Sequence, residues 1–133
     1  MVVVRRSEWR SIFKEDMEQK LKESKKEFDR YKSTGKIVYL QQAGNKLFSV
    51  VENWLMVKHN VRVISYQELR RVVKKNKYDR YLLSKAAQLH YFYYENKLRG
   101  EAEEFEDIYT EIYDKMKNRV ENLRVIPHLK ARK

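Results

Sequence analysis

Residues 105–123 read FEDIYTEIYDKMKNRVENL. In this stretch Phe105, Ile108, Tyr109, Ile112, Met116, Val120 and Leu123 recur at spacings of three and four. A helix turns about 100° per residue, so these side chains share one face and the polar residues between them take the other. Glu101, Glu103, Glu104, Glu106 and Asp107 crowd the first turns, while Lys115, Lys117 and Arg119 follow later. Acids at the amino end and bases toward the carboxyl end complement the helix dipole. The pattern predicts a helix over about residues 101–123. Pro127 ends any continuation, which leaves residues 125–133 as a basic tail.

The same periodicity runs back through the chain. Trp9, Ile12, Phe13, Met17, Leu21, Phe28 and Tyr31 make one stripe on a helix over about residues 8–33, with Ser7 as N-cap and Gly35 as the stop. A second helix covers about residues 36–58, with Ile37, Leu40, Leu47, Val51, Trp54 and Leu55 on its buried side. Gly44 falls inside it. A mid-helix glycine costs roughly 1 kcal/mol relative to alanine, which a close helix–helix approach would offset. Lys58 and His59 place positive charge at its carboxyl end. Ser65-Tyr66-Gln67-Glu68 has the form of a capping box and predicts a short helix ending near residues 75–77. The next helix carries Tyr78, Leu82, Ala86, Leu89 and Tyr93 inward, with Asp79 near its start, and stops at Gly100.

Four longer helices joined by short links predict an all-α fold, an up-and-down four-helix bundle with an additional short helix in the third connection. No internal repeat or low-complexity linker divides the chain, so residues 1–133 read as a single domain. Hydrophobic residues make up 42% of the sequence, enough for one core, and the three glycines and single proline agree with helix throughout. The absence of cysteine excludes disulfides and thiolate metal sites, and fits a reducing cytoplasm. Met1-Val2-Val3-Val4 is too short for a signal segment, and no apolar run reaches membrane length. The expectation is a cytoplasmic protein that does not engage a membrane.

A net charge of +11 favours anionic partners, nucleic acid first. The charge is regional. Residues 62–99 hold 10 basic and 3 acidic residues, whereas residues 100–114 hold 7 acidic residues and no basic one. Arg70, Arg71, Lys74, Lys75, Lys77 and Arg80 form the densest basic cluster. Tyr66, Tyr78 and Tyr81 are interleaved with it, suited either to stacking on bases or to packing. Phosphate contact through such a cluster carries no sequence specificity, and the competing reading is a solvated turn.

Signatures of catalysis are sparse. His59, His90 and His128 lie too far apart to form a local ligand set, so no metal site is expected. No Gly-rich phosphate loop or nucleophile elbow is present, and no cofactor is implied. One stretch does stand out: residues 86–95, AAQLHYFYYE, set a histidine beside four consecutive aromatics. Four successive side chains point all around a helix, so some of Tyr91, Phe92, Tyr93 and Tyr94 must meet solvent, a second chain or a ligand. Tyr and Phe are enriched at interface cores, which favours Tyr91, Phe92 and Tyr94 as a self-association surface.

The Gln-Ala-x-x-Lys-Leu pattern at Gln42, Ala43, Lys46 and Leu47 resembles the HEPN superfamily. The Ala-x-x-Leu-His-x-x-Tyr-Tyr-Glu pattern from Ala86 to Glu95 is similar to its archaeal PaREP1-type branch. The resemblance spans about residues 8–123. It implies a helical domain that dimerises and acts on or near RNA, in many members as a metal-independent RNase. The hallmark of such a site is an arginine, then four to six residues, then a histidine. His90 takes the histidine position as general acid or base. Lys85 stands where arginine is expected and would stabilise developing phosphorane charge. An ammonium lacks the planar bidentate grip of a guanidinium, which argues against RNase activity. The two positions also lie about 140° apart on a regular helix, so they converge only across a two-fold axis. The partners implied are RNA, a second copy of the chain, or a protein. The alternative is an interaction module that binds no nucleic acid and uses the acidic block 101–114.

Overall fold

The computed structural model describes residues 6–62, 65–95 and 102–123, with side chains described for 11–62, 65–90 and 102–123. These residues form five helices: α1 Arg6–Thr34, α2 Ile37–His59, α3 Tyr66–Val73, α4 Lys77–Glu95 and α5 Ala102–Glu121. The fold class is all-α, with no strand among the described residues. Nor is any helix in them long and apolar enough to cross a membrane. The short helix α3 sits between the second and third long helices, so it occupies the second link between long helices and not the third. Its start is set there by Ser65, which follows closely on the end of α2.

The α2 helix touches all four of the others, and this explains why burial wraps around it. Leu40, Ala43, Gly44, Leu47, Phe48, Val50, Val51, Leu55 and Val57 are all buried. Gly44 has a specific role. A Cβ at this position would lie 2.5 Å from Cζ of Phe105 on α5 and 3.4 Å from Cβ of Leu89 on α4. Three helices therefore meet where α2 has no side chain. Ser24 on α1 is also fully buried, donating to the Ala43 carbonyl (2.8 Å) and sharing a hydrogen bond with the Tyr109 hydroxyl (2.7 Å). The Tyr109 ring stacks on Phe28 at 4.4 Å, and burial pushes its hydroxyl pKa up.

The predicted stripes agree with the core except at two positions. Ile12 is 57% exposed, because Phe13, Met17, Leu21 and Ser24 define the inward face of α1 and Ile12 lies about 100° from Phe13. Tyr78 is 79% exposed, because the inward face of α4 begins one residue later, at Asp79. The expected glycine stop is present: Gly35 adopts φ +72° and its N–H donates to the Tyr31 carbonyl. Asn60 ends α2 in the same left-handed region, with φ 57°. The expected contacts of Trp9 and Tyr93, and the basic tail 125–133, lie outside the described side chains.

Candidate nucleic-acid interface

The basic cluster is built by the elbow that joins α3 to α4. The Ser65 hydroxyl accepts the Glu68 N–H (3.2 Å) and starts α3. Leu69 and Val73 turn inward, which sends Arg70, Arg71 and Lys74 to the opposite side. Lys75 and Asn76 make the turn, and the Asn76 side chain accepts the Asp79 N–H (3.0 Å) to start α4. Lys77 and Arg80 then emerge from the first turn of α4. All six cations are exposed. Among the described residues none of the six pairs with a carboxylate, whereas Lys20, Lys25, Lys32, Lys46, Lys58 and Lys115 each do. Arg80 is steadied differently, by donating Nη1–H to the Lys74 carbonyl (3.0 Å).

The carboxylate nearest in sequence faces away from this surface. Asp79 is 1% exposed. It accepts from Lys58 Nζ (2.9 Å) and from His59 Nε2 (2.6 Å) at the carboxyl end of α2. This clamp fixes the elbow against α2 and draws the Asp79 charge away from the outer surface. In the sequence these three residues stand only at helix ends, with nothing to join them. Their separation of some 20 positions hides the pairing, and an acid on the inward face of α4 is the available signal. Among the described residues no group of three or more His, Cys, Asp or Glu side chains is arranged to hold a metal.

The interleaved tyrosines divide by role. Tyr78 projects outward, and Tyr66 packs against Phe48 with ring centroids 5.9 Å apart. Tyr81 bridges to α5, where its hydroxyl donates to Glu111 (3.1 Å) and the Lys85 and Lys115 ammoniums lie over its ring. Tyr78 is therefore the tyrosine of the three placed to stack on a base.

His90 and Lys85 do not come together within the chain. The His90 ring packs on Phe48 at 4.8 Å, and Nδ1–H donates to Asn45 on α2 (3.2 Å). Partial burial pushes its pKa below the ordinary imidazole value. Lys85 faces α5 instead, over the Tyr81 ring at 5.7 Å, and its charge adds a minor part to the lowering of the Glu111 pKa, which the Lys115 hydrogen bond leads. The two side chains address different neighbouring helices, as their angular separation requires. The expected interface residues Tyr91, Phe92 and Tyr94 lie outside the described side chains.

The acidic block splits as well. Glu106 accepts from Tyr31 (2.8 Å) and Lys32 (2.8 Å) and ties α5 to α1. Glu103, Glu104 and Asp107 are exposed. No protein-family model, no curated protein and no solved structure matches the chain.

Proposed function

We propose that this chain is a HEPN-like helical domain that binds RNA through the α3–α4 elbow and does not cleave it. In this reading the four long helices make an up-and-down bundle. The helix contacts support that arrangement, because they run from α1 to α2 to α4 to α5 and back to α1, with a further contact between α2 and α5 where Gly44 lets Phe105 approach. Self-association through the aromatic end of α4 belongs to the same reading. The observation that carries the binding surface is the set of six exposed cations at one elbow, without a carboxylate partner among the described residues. Cations that only solubilise a surface tend to be interspersed with acids. Here the one acid between Arg70 and Arg80, Asp79, is turned inward. The lysine at position 85, in place of the expected arginine, is the ground for proposing that cleavage is absent.

The test is binding and cleavage of a mixed-sequence RNA without added metal, with His90→Ala alongside. Salt-sensitive binding without cleavage is expected. Cleavage that disappears in His90→Ala would instead establish an RNase site that depends on His90. The second reading, a protein-interaction module, is favoured by the exposed Glu103, Glu104 and Asp107. No RNA binding at low salt would turn the assignment to that module.

A further inference from the structure

A small cleft of about 140 Å³ opens between α3 and α4, lined by Tyr66, Arg70, Val73, Arg80, Leu83 and Ser84. Its composition is unusual for the surface of this chain. Two guanidiniums and a hydroxyl line a space whose apolar floor is Val73 and Leu83, both 1% exposed, and among the described residues no carboxylate lines it. Glu68, which precedes Arg70 on α3, is engaged with Ser65, and Asp79 is engaged with Lys58 and His59.

Each guanidinium, although exposed, has one contact within the elbow. Arg70 lies over the Tyr66 ring, 5.9 Å from its centroid, and Tyr66 in turn packs on Phe48. Arg80 is anchored through Nη1 to the Lys74 carbonyl, which leaves its other N–H donors for a ligand. Preorganised arginines lose little freedom on binding, and their forked donors match phosphate oxygens. The volume lies well below the roughly 300–1,000 Å³ of a pocket for a whole drug-sized ligand. It suits one compact anionic group.

We propose that this cleft is a phosphomonoester subsite, which takes the phosphorylated end of an RNA strand between Arg70 and Arg80, with the Ser84 hydroxyl as a further donor. The proposal rests on the RNA-binding reading above and adds strand-end recognition to it. A phosphomonoester carries about −1.5 to −2 charges at neutral pH, and two guanidiniums match it. An internal diester carries one charge and is served equally well by the open ridge of Lys74, Lys75 and Lys77.

The experiment compares one fluorescent single-stranded RNA oligonucleotide in three forms, with a 5′-phosphate, with a 3′-phosphate, or with hydroxyls at both ends. Affinities are measured for the wild type, Arg70→Gln/Arg80→Gln and Lys74→Gln/Lys75→Gln, with circular dichroism to confirm each fold. The wild type is expected to prefer one phosphorylated form by about tenfold, the scale of one charge-assisted hydrogen bond. Whichever form is preferred identifies the end that is read. The arginine variant is expected to bind all three forms alike, whereas the lysine variant weakens all three and keeps the preference. Equal binding of all three forms by the wild type would overturn the subsite while leaving RNA binding intact. A preference that survives the loss of both arginines would also overturn it. Failure to bind any form at low salt would remove the RNA-binding reading itself.

Discussion

Substitution of Gly44 by alanine should change sign with the residue at position 105. In isolation Gly→Ala inside a helix stabilises by about 1 kcal/mol. Here the new Cβ would sit 2.5 Å from Phe105 Cζ, closer than carbon atoms approach. Cζ lies on the χ2 axis of the phenyl ring, so turning the ring does not move it away. Phe105 is only 4% exposed and has no outward escape. Relief needs a shift of χ1 or of α5, and overpacking of this kind costs about 1–3 kcal/mol. The two terms leave Gly44→Ala neutral to destabilising by about 2 kcal/mol in the wild type. Phe105→Leu removes the clashing atom at its own cavity cost. On that background the clash is gone, and Gly44→Ala should stabilise by the propensity term alone. Urea unfolding of the four proteins gives the cycle directly from the midpoints. If Gly44→Ala raises the midpoint equally in the wild type and in the Phe105→Leu background, the close approach of α5 to α2 is not as described.

Further outcomes follow from other buried groups. Ser24→Ala should cost about 1–3 kcal/mol, since it leaves the Tyr109 hydroxyl buried without its partner. Pairing it with Tyr109→Phe should cost less than the sum of the two single changes, as read from urea midpoints. Asp79→Ala should destabilise toward the lower end of the ~3–5 kcal/mol seen when one partner of a buried ion pair is removed, because Lys58 and His59 retain access to water. Thermal unfolding checks this, and a loss below about 0.5 kcal/mol, the scale of an ordinary surface change, would contradict the clamp. Burial lowers the His90 pKa, so below about pH 6.5 the unfolded chain binds a proton that the folded chain refuses. The contribution of His90 is full above that pH and is lost as the pH falls through the folded value. Stability of His90→Asn relative to the wild type should therefore improve on acidification, and a constant difference would refute it. Glu52 has the opposite sign. Burial raises its pKa, so its stability contribution is full below the unfolded value and declines as pH rises through the folded one. Glu52→Gln should raise the urea midpoint at neutral pH and leave it nearly unchanged in acid.

The helices are legible because they are long and their apolar residues recur regularly. The residues that give the core its specificity are harder to read, because they are polar or belong to distant segments. No local pattern marks Ser24 as buried, because its partner Tyr109 lies on α5. Asp79 reads as a helix-start acid, yet it bonds to the far end of α2. Tyr78 falls into the predicted stripe because an aromatic at the right spacing outweighs an adjacent acid in any hydrophobic pattern. The six cations of the elbow are legible as a cluster. Their shared exposure becomes visible only once Leu69 and Val73 fix the inward face of α3. The α3–α4 cleft joins residues 66–73 to residues 80–84 and has no local motif.

The central claim is that the elbow meets RNA through its phosphates. It is tested most directly by comparing the wild type with Arg70→Glu/Arg71→Glu/Lys74→Glu/Lys75→Glu for binding to one mixed-sequence single-stranded RNA across a salt series. Each phosphate contact contributes roughly 0.7 to the slope of log K against log salt on single strands. Loss of four should flatten the slope by up to about 2.8 and weaken binding most at low salt. An unchanged affinity and slope in the folded variant would place any RNA binding elsewhere and contradict the account.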